Sequence, residues 1–156
     1  MIQRFAVDKM LGRLATWLRI IGQDATCGGH LSGPAILRHA RLEGRTVLTR
    51  DRRLLRRRVD VPLVYVESDQ FRAQLQQVVT AFGIDPFAHT FTRCTRCNQP
   101  VVPVPKDEVA EQVPPYVFAT QTHFVRCPRC RRIYWPATHS ARVREQLQTL
   151  TISRTG

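Results

Sequence analysis

The chain is short of lysine, of acidic residues and of long apolar segments. Only Lys9 and Lys106 are lysines among its 24 basic residues, which are set against 12 acidic ones. No apolar run reaches the ~18 residues that a membrane-spanning helix requires. The first residues also lack the basic stretch, apolar core and small-residue cleavage site of a secretory leader. We therefore expect a cytoplasmic protein without a membrane partner, and its 156 residues suffice for one domain or two small ones.

Arginine carries almost all of the positive charge, and the formal net charge is +12. The planar guanidinium binds phosphate through paired hydrogen bonds and stacks on bases. An alternative is that a GC-rich genome raises arginine at the expense of lysine, which would explain the ratio but not the excess charge. We therefore expect a polyanionic partner, namely a nucleic acid or a ribonucleoprotein.

Four of the five cysteines form two CxxC pairs, in which two residues separate the cysteines. This spacing lets one tight turn direct both sulfurs at a single cation, and two such turns supply the tetrahedral shell of four thiolates that Zn²⁺ favours. We predict a structural zinc site with four ligands: Cys94, Cys97, Cys127 and Cys130. Four thiolates leave no open position, so this zinc is not expected to be catalytic. Cys27 lacks such a partner and is predicted to be a small buried apolar residue.

Residues 1–88 alternate short apolar strands with amphipathic helices. The predicted strands are 4–7, 25–27, 46–49 and 62–66, and the predicted helices are 9–21, 35–42, 52–58 and 70–82. Repeated strand–helix units with short connections indicate an α/β fold, in which helices flank a parallel sheet.

The composition changes after Gly83, since eight of the ten prolines lie at or beyond Pro86. We assign residues 89–140 to a small β-rich zinc ribbon and residues 141–156 to a C-terminal helix and tail. The predicted strands are 101–104 and 116–119, with one or two helical turns at 106–112, and the segments 124–126 and 133–135 lead into and out of the second cysteine turn.

Three acidic residues follow three of the predicted parallel strands: Asp8, Asp51 and Asp69. Ligands bind outside the carboxyl ends of such strands, so the three carboxylates are expected to converge there. Clustered carboxylates are tolerated when a hard cation such as Mg²⁺ or Mn²⁺ lies between them, and such a metal activates water for attack on a phosphodiester. The alternatives are structural: Asp8 caps the first helix, Asp51 pairs with nearby arginines, and Asp69 or Ser68 caps the helix near Gln70.

Four segments occur in a fixed order: FAVDKMLGRLATWLRIIGQDA, GRTVLTRDRRLL, RCTRCNQP and FVRCPRCRRIYWPATH. Together they closely resemble the Mut-seven C-terminal RNase family, in which a PIN-like nuclease domain precedes a zinc ribbon. The resemblance covers roughly residues 4–148. It implies that residues 1–88 form the nuclease domain, that Asp8 and Asp51 bind the catalytic metal, and that Asp69 matches a later, more variable acid.

The chain departs from the family pattern at two places. Family members commonly carry an acid at the start of the second helix, where this chain has Ser32-Gly33-Pro34. Glu43, at the end of that helix, is a candidate substitute that periodicity places poorly. In the segment Pro136-Ala137-Thr138-His139, the family usually has a glycine before the small hydroxyl residue and the histidine, and we predict that His139 is not a zinc ligand.

Arginines crowd both the acidic positions and the cysteine pairs, and one tryptophan follows the second pair. The predicted RNA-binding residues are Arg13, Arg50, Arg52, Arg53, Arg56, Arg57, Arg96, Arg129, Arg131, Arg132 and Trp135. Interleaved basic and aromatic residues are typical of proteins that bind single-stranded or looped RNA. The alternatives are that the arginines neutralise acids or form a solvated face, and that Tyr134 and Trp135 pack in the ribbon's core.

We predict a Mg²⁺- or Mn²⁺-dependent endoribonuclease with a structural zinc ribbon that helps to hold RNA, whether tRNA, rRNA or the ribosome. One alternative is a weakly active or inactive adaptor that binds RNA or the ribosome through a PIN-like scaffold. Another is a toxin-type PIN ribonuclease neutralised by an acidic partner.

Overall fold

The protein folds into two compact units, Met1–Phe91 and a second that begins at Thr92. This computed structural model describes residues 1–136 and 138–153, with side chains described for 1–136 and 141–150. The prediction for His139 therefore lies outside the described side chains. Within the described part of the chain, no helix combines the length and the apolar character needed to cross a bilayer.

The first unit contains a four-stranded parallel sheet in the order β2-β1-β3-β4. Its strands are β1 (Arg4–Val7), β2 (Asp24–Cys27), β3 (Thr46–Thr49) and β4 (Leu63–Tyr65). The register places Val7 beside both Cys27 and Leu48, and Thr49 beside Tyr65. All four strands therefore end at one edge, which we call the carboxyl edge.

Helices cover both faces of this sheet. They are α1 (Gly12–Ile20), α2 (Gly33–Glu43), α3 (Arg52–Leu55) and α4 (Phe71–Phe82), with a short 3-10 helix at Lys9–Leu11 before α1. Phe5 packs edge-on against Phe82 of α4, with ring centroids 5.0 Å apart. Its neighbour Ala6 belongs to a buried cluster with Ile36 and Ala40 of α2. Because successive side chains of a strand point to opposite faces, α4 and α2 lie on opposite sides of the sheet.

Two glycines end the longer helices. Gly44 follows α2 with φ 65° and Gly83 follows α4 with φ 60°, the left-handed conformation in which glycine carries no Cβ penalty. At Gly22, also in positive φ, an added Cβ would lie 2.3 Å from the His89 carbonyl oxygen. The chain after α4 therefore returns close against the end of α1.

The second unit has a three-stranded antiparallel sheet in the order β5-β6-β7. Its elements are β5 (Val102–Val104), a 3-10 helix (Lys106–Val109), α5 (Pro115–Thr120), β6 (Phe124–Arg126), β7 (Ile133–Tyr134) and α6 (Thr138–Ser153). Its hydrophobic cluster is small and consists of Val104, Val109, Val113, Val117 and Phe124.

The structure confirms the predicted α/β class, with a parallel sheet flanked by helices and a small β-rich unit that carries the cysteines. One predicted element is wrong, because residues 116–119 belong to helix α5 and not to a strand. Pro114 and Pro115 begin this helix, where a proline's fixed φ fits and its missing N–H costs nothing. The basic helix predicted at 52–58 is also shorter, since α3 ends at Leu55.

Candidate functional site

The four paired cysteines form one cluster. Their sulfur atoms all lie within 4.8 Å of one another, and the Sγ atoms of Cys94 and Cys130 are 3.7 Å apart. In a tetrahedral site with Zn–S bonds of about 2.3 Å, neighbouring sulfurs are separated by about 3.8 Å. Among the described residues this is the one group of three or more metal-ligating side chains so gathered, and its donor set and spacing fit Zn²⁺.

The two CxxC turns share one backbone geometry. In the first, the Asn98 N–H donates to the Cys94 carbonyl at 2.9 Å, and in the second the Arg131 N–H donates to the Cys127 carbonyl at 2.9 Å. The residue after each second cysteine has positive φ, 64° at Asn98 and 67° at Arg131. The amides of Cys97 and Cys130 also point at the first sulfur of their own turn, 3.4 Å away. Each turn thus directs two sulfurs at one point and surrounds them with N–H groups.

Tyr134 joins the cluster through its hydroxyl, 3.0 Å from the Cys94 sulfur. Burial raises the pKa of the Cys94 thiol, but hydrogen bonds from Tyr134 and from nearby backbone amides outweigh it and lower that pKa to about 7. Burial and hydrogen bonds with Cys130 and Cys127 raise the pKa of Cys97 to about 12. Four thiolates this close repel one another, so a bound cation is what permits all four to ionise together.

Asp8 lies at the carboxyl edge, immediately after β1, and is 1% exposed. Its N–H donates to the Leu48 carbonyl of β3 at 2.9 Å, which holds it against the neighbouring strand. One carboxylate oxygen accepts a 2.9 Å hydrogen bond from the Thr49 hydroxyl, and the other caps the following turn through a 3.4 Å contact with the Met10 N–H. The structural alternative for Asp8, a helix cap, is therefore present.

Thr49 connects the two principal acidic positions. Its hydroxyl donates to Asp8 and accepts a 2.9 Å hydrogen bond from the Asp51 N–H. Asp8 and Asp51 consequently follow neighbouring strands at the same edge and are joined through one buried side chain. Sequence reasoning did not single out Thr49, although its place at the end of a buried strand between two acids was a usable signal.

Asp51 begins α3 and pairs with Arg53. Its carboxylate accepts from the Arg53 backbone N–H at 3.0 Å and from the Arg53 guanidinium at 3.0 and 3.1 Å. The guanidinium hydrogen bond, followed by the backbone one, lowers the pKa of Asp51 from its ordinary value of 3.8. The Arg53 side chain is 86% exposed, so the guanidinium that binds the Asp51 carboxylate is largely in contact with solvent.

The third acid, Asp69, follows β4 and has its own local contacts. Asp69 is exposed, and the Gln70 side chain donates to it at 3.3 Å. Neither Asp69 nor Ser68 caps α4, whose N-cap is Gln70 without a side-chain cap; the Ser68 hydroxyl accepts from the Gln70 N–H at 3.0 Å in the turn before the helix. Across the described residues, the carboxylates of Asp8, Asp51 and Asp69 do not form a set with all ligand atoms within 4.8 Å.

Glu43, the candidate substitute for the missing family acid, lies at the opposite edge of the sheet. It contacts Arg45 at 3.2 Å, and Arg45 binds Asp24, the first residue of β2, at 2.6 Å. Glu43 is therefore part of an ion-pair network where the strands begin, and it does not join the carboxyl edge.

The arginines predicted to bind RNA have several different environments in the first unit. The Arg13 guanidinium lies 3.7 Å from the centroid of the Phe71 ring, and Arg50 donates to the Val66 carbonyl at 2.9 Å. Arg52 donates to the Tyr65 hydroxyl at 3.3 Å. Arg56 and Arg57 are exposed.

Basic side chains also surround the cysteine cluster. Arg96, Arg129, Arg131 and Arg132 are exposed, and the Arg132 guanidinium lies 5.8 Å from the Tyr134 ring. Trp135 is half-buried and packs against Phe124, with ring centroids 6.3 Å apart. Tyr134 and Trp135 are half-buried, and Trp135 packs against the small core, so the core alternative holds for part of these side chains. The hydrogen bond from Tyr134 to Cys94 was not foreseen, since nothing in the spacing of Tyr134 identifies a sulfur partner.

The protein thus belongs to the class of α/β proteins with a parallel sheet, acids at the sheet's carboxyl edge and an appended four-cysteine unit. The Mut7-C RNAse domain family matches residues 3–147, nearly the whole chain, and the protein belongs to that family. Membership supports a nuclease-type hydrolase with RNA as its substrate. Neither a curated protein nor a solved structure matches the chain significantly.

Proposed function

We propose that this protein is a metal-dependent endoribonuclease whose site lies at the carboxyl edge of the parallel sheet. The observation that carries the proposal is the linkage of Asp8 and Asp51 through Thr49 at the ends of neighbouring strands. The net charge of +12 and membership of an RNase family support RNA as the substrate. Under this proposal residues 1–88 are the nuclease domain, residues 89–140 the zinc ribbon, and residues 141–156 a C-terminal helix and tail.

Asp8 and Asp51 would hold Mg²⁺ or Mn²⁺, with Asp69 as a more exposed third acid. Carboxylate oxygens are the donors these ions prefer, and a carboxylate has about four lone-pair sites, of which Asp8 uses two. When bound, such a metal lowers the pKa of a coordinated water and neutralises charge on the phosphate. Thr49 would keep the buried carboxylate oriented, and Arg53 would hold Asp51 ionised.

Arginines would position the RNA backbone. Arg13, Arg50, Arg52, Arg53, Arg56 and Arg57 belong to the first unit, and Arg96, Arg129, Arg131, Arg132 and Trp135 belong to the second. The zinc ribbon would act as a structural support and hold RNA, with tRNA, rRNA and the ribosome as the proposed partners.

The double variant Asp8→Asn with Asp51→Asn tests this assignment. We expect RNA cleavage in Mg²⁺ or Mn²⁺ to fall by about 10³-fold, equivalent to about 4 kcal/mol of lost transition-state stabilisation. Binding of the same RNA should remain within about twofold, because phosphate contacts dominate affinity. The matched control is Asp107→Asn with Glu111→Gln, which removes two exposed carboxylates from the second unit and should cleave normally. Cleavage by the Asp8 and Asp51 variant at the control's rate would contradict the proposal.

The exposed position of Asp69 favours one alternative, an RNA-binding adaptor without cleavage. Such a protein would bind RNA equally well with and without Mg²⁺ or Mn²⁺ and would leave it uncut. Incubation of the wild-type chain with labelled RNA over a titration of each metal separates the two functions. Metal-dependent product formation supports the nuclease, and its absence at every metal concentration supports the adaptor.

A further inference from the structure

A groove between α2 and the segment after α3 collects four arginines. It has a volume of about 350 Å³ and we call it the α2–α3 groove. Its lining residues are Pro34, Leu37, Arg38, Arg41, Arg57 and Arg58. Arg57 was predicted to bind RNA, and Arg58 belongs to the same predicted basic helix at 52–58.

Three of the four arginine charges in the groove are not neutralised by an ion pair. Arg41 is held by Asp60 through two hydrogen bonds of 2.7 and 2.8 Å. Among the described residues Arg38, Arg57 and Arg58 form no salt bridge, although the charge of Arg57 also acts on Asp51, and all three arginines are exposed. Three like charges that converge on one concavity produce a local positive potential that attracts anions.

The groove adjoins the proposed cleavage edge. Helix α2 begins at Gly33, after the carboxyl end of β2, and α3 begins at Arg52, after the carboxyl end of β3. Both helices therefore start at the edge that carries Asp8 and Asp51. The groove runs from Pro34, near this edge, along α2 to Arg41, so a chain of phosphates that leaves the edge along α2 would enter it.

We propose that the α2–α3 groove binds consecutive phosphates of a single-stranded RNA segment next to the cleavage site. This inference deepens the proposed function and rests on it for the identity of the polyanion. Arginine forks bind phosphate oxygens bidentately, and three unpaired guanidiniums match the charge of two or three phosphodiesters. An acidic peptide offers the same sign of charge, but RNA is favoured because one end of the groove, at Pro34, lies at the start of α2, by the edge that carries the proposed cleavage site.

The double variant Arg38→Ala with Arg58→Ala tests the groove by RNA binding alone. Affinity for a single-stranded RNA of twelve nucleotides is measured by fluorescence anisotropy at several salt concentrations, without added Mg²⁺ or Mn²⁺. Loss of two phosphate contacts should reduce the slope of log affinity against log salt by about 1.4. The matched control, Arg142→Ala with Arg144→Ala, removes the same charge from two exposed positions of α6 and should leave the slope unchanged.

Equal salt slopes for the two double variants would overturn the proposal that RNA binds in the groove. Displacement of the RNA by a polyglutamate peptide of equal charge, as effectively as by unlabelled RNA, would overturn the choice of RNA as ligand. Unfolding temperatures should match the wild type, because the replaced side chains are exposed. An independent measurement on the wild type is photocrosslinking of 4-thiouridine RNA, and adducts that avoid both 34–41 and 56–58 would also contradict the groove.

The two proposals fail separately. If the Asp8 and Asp51 double variant still cleaves RNA, the carboxyl edge is not the catalytic site, whatever the groove variants show. If Arg38→Ala with Arg58→Ala binds RNA as its control does, the groove is overturned while the loss of cleavage in the acid variant stands.

Discussion

The two units of this protein reach a stable fold by different means. The first buries large side chains completely, among them Phe5, Leu14, Leu18, Ile36 and Leu48, between a parallel sheet and helices on both faces. Among the described residues, the second has a cluster of five buried apolar residues, two further buried leucines in α6 and four gathered thiols. A unit of this size buries too little apolar surface to be stable with ease, and a structural metal is the usual remedy. We therefore infer that burial stabilises the first unit and that zinc stabilises the second.

The two candidate metal sites, the cysteine cluster and the carboxylates at the sheet edge, differ in a similar way. The four sulfurs lie within 4.8 Å of one another and can complete a coordination shell by themselves. The acids at the sheet edge are fewer and less closely gathered than the sulfurs. Asp8 and Asp51 are joined through the Thr49 hydroxyl, and Asp69 is exposed. A complete shell serves structure, whereas an incomplete one leaves positions for water and phosphate.

Removal of zinc should have the largest effect and should act on the second unit alone. Structural zinc contributes about 10–16 kcal/mol of binding free energy that is also folding free energy. With a strong zinc chelator, we expect amides of β5, β6 and β7 to lose protection from hydrogen exchange while those of β1 and β3 keep it. Hydrogen-exchange protection in the second unit that survives the chelator would contradict the inference that zinc stabilises this unit.

A pair of cysteine variants sharpens the same prediction. Cys127→Ser should reduce bound zinc well below one ion per chain, as measured by atomic absorption. Cys27→Ser is the matched control, since Cys27 is the last residue of β2 in the first unit and lies outside the cluster. Equal zinc contents in the two variants would refute the assigned ligands.

The converse prediction is smaller and concerns the first unit. Leu48 is completely buried in β3, so Leu48→Ala should lower the free energy of unfolding by about 2–5 kcal/mol through lost burial and a residual cavity. Zinc content should be unchanged. Denaturant unfolding measures the effect, with Leu42→Ala as control, because Leu42 is 80% exposed and its loss should cost under about 0.5 kcal/mol. Similar costs for both variants would show that the sheet core does not stabilise the first unit.

The smallest expected effect is electrostatic and concerns Asp51. The hydrogen bond from the Arg53 guanidinium lowers the pKa of Asp51, so Arg53→Gln should raise that pKa toward 3.8. The retained hydrogen bond from the Arg53 N–H should keep it below that value. Carboxyl-carbon NMR titration measures the shift, and Arg56→Gln is the control because it removes a neighbouring exposed charge. A pKa of Asp51 that is the same in both variants would contradict the pairing.

The lowered pKa of Asp51 also makes the stability of the fold depend on pH. Because the folded-state pKa of Asp51 lies below the unfolded value, the ionised pair with Arg53 stabilises the fold fully only above the unfolded pKa. The contribution is lost as the pH falls from about 3.8 through the lowered value. Arg53→Gln should therefore make unfolding less sensitive to pH in this acidic range.

Local patterns predicted most elements of the fold. Apolar spacing identified α4, where Phe71–Phe82 was predicted as 70–82, and the apolar run Thr46–Thr49 was predicted as a strand without error. The run at 116–119 misled because four apolar or aromatic residues fit a strand or a buried helical turn equally well. Two prolines before it decided for the helix, and Val117 is buried in the small core of the second unit.

The candidate sites were predictable to different degrees. The four cysteines were recognised because CxxC spacing is local and the sulfurs need only two turns. The carboxylates were harder, since their convergence depends on which strands are neighbours. Asp8 and Asp51 follow the adjacent strands β1 and β3, but Asp69 lies after β4, with Glu67 and Ser68 between it and the buried Val66.

The sequence by itself determined the two CxxC turns, the alternation of strands and helices and the large positive charge, because each depends on residues close in the chain or on composition alone. Only the tertiary structure decided that Thr49 joins Asp8 to Asp51, that Tyr134 donates to Cys94, and that Arg38 and Arg58 line one groove. All but one of these contacts join residues 20 or more positions apart. The exception is the hydrogen bond from the Asp51 N–H to Thr49, two positions away, which matters because Thr49 also binds the distant Asp8. Their geometry depends on strand order and helix packing, which no local pattern encodes.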